Sequence, residues 1–320
     1  MRSPKKTSKA EIKLDEAARA GWLYYVASKT QDEIARELGV SRQTVQRLIS
    51  LSVSEQLVKI RIDHPIAVCM ELALAVKEKY DLVACNVVPS DKSAPDFLNG
   101  LAISVAADME KYLRLEAPQI IALGTGRALR ACIEQLPTLT TPQHTIVSRL
   151  GNMMTDGSAT QYNAVIRMAE KTGSAHYPMA MPLLAHDPEE LKMMQSMEAV
   201  RNTLHLCDIA DATFVGVGQI NLTAPLVLDG FMTKEEATEL QDAGAAGEIT
   251  SIIYDGQGVV LDCAYNARVS SAPLKKAGIA PITAVAAGPA KVSAIHAALI
   301  GFLVNRLTTD EATAKILLSF

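Results

Sequence analysis

The sequence predicts an α/β protein in two parts: a helix-turn-helix domain over residues 1–63, then a doubly wound, mainly parallel α/β domain over residues 64–320. Three observations predict it. Residues 30–52 hold two short segments of apolar periodicity, separated by Gly39 and each opened by a capping residue. From residue 66 onward, helical patterns alternate with short continuous apolar runs, as in parallel sheets covered on both faces. Charge divides along the same line, with 12 Lys and Arg against 7 Asp and Glu in residues 1–62, and 19 against 28 in the remainder. A chain of 320 residues with 49 % hydrophobic and 21 % charged side chains can bury a core in each part, which excludes disorder as its main theme.

Within the N-terminal part, Leu14, Ala17, Ala18, Trp22, Tyr25 and Val26 recur at helical spacing and predict a first helix over Ile12–Ala27. Thr30-Gln31-Asp32-Glu33 is a capping box that opens a short second helix with Ile34, Ala35 and Leu38 inward. Gly39 supplies a left-handed stop, and Ser41 caps a third helix running to about Ser52. Val45, Leu48 and Ile49 share one face of that helix, leaving Arg42, Gln43, Thr44, Gln46 and Arg47 on the other. Arg and Gln reach base edges in a major groove, while Thr30, Gln31, Ser41 and the helix start suit phosphates. The same residues also fit a small three-helix bundle with a solvated polar face. Leu57–Ile62 alternates apolar and basic and predicts a strand or wing, with a hinge at Asp63-His64-Pro65.

In the larger part, helices are expected over Ile66–Tyr80, Phe97–Leu115, Arg127–Gln135, Leu191–Cys207, Glu235–Ala243, Val292–Leu303 and Glu311–Leu318. Strands are expected over Leu82–Val88, Gln119–Leu123, Thr145–Ser148, Thr213–Val217 and Ile282–Ala286, with Gly151–Gly157 as a loose segment. Ligands of such sheets gather at the carboxyl ends of strands. Gly124-Thr125-Gly126-Arg127 stands there, glycines admitting a ligand close to the backbone and Thr125 and Arg127 offering donors; a quiet strand-to-helix turn explains the same residues. Gly216 and Gly218 repeat the arrangement after another strand, so two loops can line one cleft. Glu248 is a candidate acceptor for ligand hydroxyls or else a surface carboxylate on a turn. Lys291, at a helix start after Gly288-Pro289-Ala290, can hold a phosphate or hydroxyl, or is simply a solvated first-turn lysine.

Other chemistries lack their residues. The six histidines never stand three or four apart, so no helical metal pair forms, and no metal or cofactor is expected. No nucleophile elbow or Walker sequence occurs. Leu129 breaks the dinucleotide fingerprint at its third glycine, and no acidic residue follows at the ribose distance. Met153-Met154 and Met193-Met194 read as core filling. Five scattered cysteines with no C-x-x-C argue for a reducing cytoplasm. The basic, polar start shows no signal peptide, and no apolar run is long enough for a membrane span.

Ala20–Tyr25, Thr30–Ala35 and Leu38–Ile49 resemble the helix-turn-helix of SorC-type sugar-responsive regulators, the sugar-binding DeoR-like group. Gly124-Thr125-Gly126-Arg127, Gly216-Val217-Gly218, Gly247-Glu248-Ile249, Ala287–Lys291 and Leu307–Ala314 resemble that family's later landmarks, in order, from about residue 12 to 318. The sequence departs from the family at Glu248, where Asp is usual, and at Pro289, where a second Gly is usual; both bear on the effector's identity. The resemblance implies a larger domain folded like sugar-phosphate isomerases, a homo-oligomer, often a tetramer though a dimer is possible, and control of a carbohydrate or polyol operon. Operator DNA and a sugar, polyol or sugar phosphate are then the partners. The alternative is an isomerase-like enzyme with a helical appendage, which needs a second catalytic group beside Glu248 that the sequence does not offer.

Overall fold

The structure is a computed structural model that describes residues 9–59, 67–90, 98–154, 157–158, 163–278 and 280–320. The chain divides into two compact units, Met1–His64 and Pro65–Phe320.

The first unit holds α1 (Lys9–Tyr25), α2 (Gln31–Leu38) and α3 (Arg42–Ser54). Both halves of the capping box form at Thr30 and Glu33, Gly39 ends α2 at φ 66°, and the Ser41 hydroxyl accepts from the Thr44 amide. Ala17, Ala20, Leu23, Ile34, Val45, Leu48 and Ile49 make the core. The buried stripe of α1 therefore runs through its small residues, and Trp22, Tyr25 and Val26, expected inward, are exposed. Gly21 shows why: a Cβ there would stand 2.5 Å from Ser52 Oγ and 2.6 Å from Val58 Cγ2. Only a side-chain-free surface lets α3 come that close, so bulky residues face away. The expected wing does not begin within the described residues. Leu57–Lys59 is not strand, because the Val58 amide bonds back to the Ser52 carbonyl. Residues 60–62 and the expected hinge at 63–65 lie outside the described residues.

The second unit is a seven-stranded parallel sheet. Its strands are β1 (Ala84–Val88), β2 (Ile120–Leu123), β3 (Thr145–Met153), β4 (Ala175–Pro182), β5 (Ala212–Gly216), β8 (Ile282–Val285) and β9 (Arg306–Asp310); β6 (Ala245–Ile249) and β7 (Ile252–Asp255) form a separate antiparallel hairpin. The helices are α4 (Ala67–Lys79), α5 (Leu98–Leu113), α6 (Arg127–Glu134), α7 (Ala164–Thr172), α8 (Pro188–Ser196), α9 (Glu198–Asp208), α10 (Pro225–Leu228), α11 (Lys234–Asp242), α12 (Val292–Ile300) and α13 (Glu311–Ser319). Alternate residues of each central strand serve opposite cores. Phe214 and Val285 join Ile121 and Leu123 beneath α5, α6 and α7, whereas Val215 and Ala284 join Leu307 beneath α4, α12 and α13. Burial on both faces is what makes these strands continuous apolar runs.

Several expectations are corrected. The helix over 191–207 is two, α8 and α9, because Met197 is extended between them. β3 continues past Ser148 through Gly151, where a Cβ would lie 2.4 Å from the Pro182 carbonyl oxygen, so the glycine is what lets β4 approach. β4, β6 and β9 lie outside the expected strands because an exposed edge strand, a strand with Gly at its centre and a Thr-rich strand lack the apolar run that marks the others, and β7 is only four residues long.

The strand order β1-β9-β8-β5-β2-β3-β4 places the site. From β2 the chain runs outward through β3 to β4; it then returns to β5, beside β2, and runs the other way through β8 to β9. β2 and β5 are the switch point, and ligands of such sheets collect outside the carboxyl ends of the strands there.

Candidate functional site

At that switch point the Gly124 amide donates to the Phe214 carbonyl at 2.8 Å, continuing the β2–β5 contact into the loops. Gly216 lies across from Thr125, whose carbonyl oxygen would be 3.7 Å from a Cβ on Gly216. The two loops read from sequence therefore do meet. Gly126, at φ 113°, starts α6 with no side-chain cap.

The hairpin brings Glu248 to the same edge. It sits on a strand, not a turn, in mutual backbone hydrogen bonds with Gly218 (Gly218 N to Glu248 O 3.0 Å, Glu248 N to Gly218 O 2.9 Å). A Cβ on Gly218 would stand 2.1 Å from Glu248 Oε1, so the carboxylate lies across the bare glycine. Its Oε2 accepts from the Ser251 amide at 2.8 Å. Burial pushes the Glu248 carboxyl above its ordinary range, opposed by the Ser251 amide and by Lys291. Burial also pushes the Lys291 ammonium down, with Glu248 opposing and Arg127 reinforcing the shift. Among the described residues, no hydrogen bond or ion pair engages Lys291 Nζ. Arg127 bridges to Asp229, at the end of α10, at 3.3 Å. The edge thus presents a carboxylate with a free acceptor oxygen and an ammonium in one electrostatic neighbourhood.

On the other side of the Gly124 loop opens a small, partly open cleft. Gly124 and Thr125 form one wall, Ser148, Leu150, Gly151 and Asn152 of β3 another, and Asn163–Ile166 at the start of α7 closes it with Pro178. Of the residues picked from sequence only Gly124 and Thr125 line this cleft; Gly126, Arg127, Gly216, Gly218, Glu248 and Lys291 stand outside it. Ser148, Gly151, Asn152 and Asn163 were missed. The usable signal was position: polar residues just past an apolar strand, on the edge where ligands collect.

In the first unit Arg42, Gln43, Gln46 and Arg47 are exposed along α3, and Thr44 is half-buried. The Thr30, Ser41 and Thr44 hydroxyls are engaged in capping, Ser41 Oγ lying 2.9 Å from Thr44 Oγ1. Arg42 pairs with Asp32 at 3.6 Å, both largely exposed. Gln31 is half-buried. The free donors of α3 are therefore the long side chains.

A capped helix-turn-helix joined to an α/β unit with glycine loops and a carboxylate gathered at its switch point defines a class, the ligand-responsive DNA-binding regulators. Residues 64–319 match the family described as "Putative sugar-binding domain", and residues 13–57 a homeodomain-like domain. The chain is 31 % identical over 302 residues to the erythritol catabolism regulatory protein EryD of Brucella abortus (strain 2308), covering 94 % of this chain and 96 % of that one. It is 28 % identical over 316 residues to the sorbitol operon regulator of Klebsiella pneumoniae, covering 92 % and 95 %. The crystal structure of full-length SorC from Klebsiella pneumoniae matches with a TM-score of 0.70 at 25 % identity, over 95 % of this chain and 99 % of that one. The chain belongs to the SorC-type family of sugar-binding transcriptional regulators. It is a transcriptional regulator rather than an enzyme, and the isomerase reading falls away.

Proposed function

We propose that the protein binds operator DNA through α3 and releases or rearranges on it when a small polyol or sugar occupies the sheet edge between the Gly124 loop and Glu248. The observation that carries this is the convergence of Gly124–Gly126, Gly216–Gly218, Glu248 and Lys291 on one sheet edge, beside the cleft walled by Gly124 and Thr125. Glu248 Oε1 accepts from one hydroxyl and Lys291 donates to a neighbouring oxygen, of a hydroxyl or of a phosphate. Gly124 and Thr125 supply backbone and hydroxyl contacts, and Arg127, held by Asp229, adds positive potential at the rim. In the first unit Arg42, Gln43, Gln46 and Arg47 read the groove, while Thr30, Gln31, Ser41 and Thr44 shape the helix starts that meet phosphates.

Named relatives support a polyol: one regulates erythritol catabolism, another a sorbitol operon. The protein works in the cytoplasm as a homo-oligomer, a tetramer or a dimer, so that effector-driven changes between protomers alter how several heads sit on one operator. An effector shifts that equilibrium only by binding one arrangement better than the other.

The test is a thermal-shift screen of the full chain against erythritol, sorbitol, other sugars and their phosphates, because a ligand held only by the native state raises Tm. A hit must then change binding to DNA upstream of the chain's own operon. Arg47→Ala should weaken operator binding and lower its salt dependence by about one charge, with effector affinity intact. If no compound shifts Tm, or if a hit leaves DNA binding unchanged, the effector reading fails.

A further inference from the structure

We propose that Thr250 is a positioning residue of the cleft, a side chain wedged between the Gly124 loop and the Ser271 segment by a turn that only its surroundings keep in place. The proposal rests on the reading of this sheet edge as the effector site. The β6–β7 hairpin closes with just two residues, Thr250 and Ser251, at φ 51° and 66°. Two-residue hairpins with both residues in the left-handed region favour Asn-Gly, and a β-branched residue there is an outlier. Neither position holds a glycine. Strained backbone of this kind persists only where neighbours over-determine it, and it concentrates at functional sites.

The neighbours are on every side. Thr250 is 6 % exposed and Ser251 2 %. Thr250 Cγ2 lies 3.3 Å from where a Cβ on Gly124 would stand, so its methyl group bounds the space beside that loop. Its Oγ1 accepts from Ser271 Oγ at 2.8 Å. Ser271 in turn bridges to Leu150, a residue of the cleft wall. The Ser251 amide holds Glu248. One strained turn thus touches the Gly124 loop and holds the carboxylate beside it, and it reaches the β3 wall of the cleft through Ser271. A glycine would relax the turn and remove all the side-chain contacts, which separates holding the loop from holding the fold.

Hydrogen exchange of the full, ligand-free chain, read on peptides spanning residues 120–130, tests this. In Thr250→Gly the loop should exchange about tenfold faster while the rest of the body exchanges as before and Tm holds or rises. Thr250→Ser keeps the hydroxyl tie and loses the methyl, and should also quicken the loop; it decides the matter if the glycine variant does not fold. Unchanged loop exchange in the folded variants overturns the proposal, and so does faster exchange spread evenly over the body with a fall in Tm, which marks a merely structural residue. Titration with erythritol runs alongside. If the wild-type chain binds neither it nor any other screened compound, the effector reading fails, but the loop's exchange still decides the role of Thr250.

Discussion

Replacing Gly218 with alanine tests the carboxylate site most directly. The new Cβ would stand 2.1 Å from Glu248 Oε1, 2.9 Å from Cδ and 3.0 Å from Cγ. The backbones cannot separate, because Gly218 and Glu248 exchange two hydrogen bonds. Gly218 is not among the positive-φ glycines, so alanine meets no backbone penalty there. The Glu248 side chain must therefore rotate away. A hydrogen bond to a charged group contributes about 1.5–3 kcal/mol. At tenfold per roughly 1.4 kcal/mol, losing one effector hydroxyl's acceptor should raise the effector's Kd by about 10- to 150-fold. Stability should change less, since the Ser251 amide loses its acceptor but a buried charge is released to water. Gly256→Ala, just past the end of β7 and outside the proposed site, is the control: its Cβ meets nothing within 4 Å and its φ is not positive. Calorimetric titration with the polyol found by the screen, followed by operator release, gives the answer. Undiminished affinity in Gly218→Ala, or an equal loss in Gly256→Ala, would refute the reasoning.

Effector binding should depend on pH through Glu248. Burial raises its carboxyl above the ordinary range, so the folded body binds a proton that the unfolded chain releases. Body stability should then fall as pH rises from the ordinary carboxylate range through the raised value, while effector affinity rises over the same window as the acceptor ionises. Glu248→Gln should flatten both curves, as seen in Tm and Kd measured across pH; a pH-dependent affinity surviving in that variant would point to another group. Ser41→Ala removes the hydroxyl that caps α3 and should destabilise the first unit by about 1 kcal/mol. Trp22, the single tryptophan, lies in that unit, so its fluorescence follows the loss while effector binding by the body stays unchanged.

Much of the architecture was written locally. Thr30 with Glu33, Gly39 and Ser41 determine where α2 and α3 start and stop, because a cap needs only residues within one turn. Likewise, runs such as Ile120–Leu123 and Thr213–Val217 had to be strands buried on both faces, and the glycines after them had to be loops at a sheet edge. Strand order was not local. That β5 returns beside β2, making Gly124 and Gly216 neighbours, depends on how helices distant in sequence pack on the two faces of the sheet. Only folding decided that Trp22 faces outward, since the fit of Gly21 against Ser52 and Val58 belongs to two segments at once. Glu248 shows the same limit: its sequence neighbours mark it as polar and near a glycine, but burial, the free oxygen and the company of Lys291 come from a hairpin docked against β5 and α12. Residue types and short spacings dictate conformation over a turn or a strand; what a charged group meets is set by chain brought from far away.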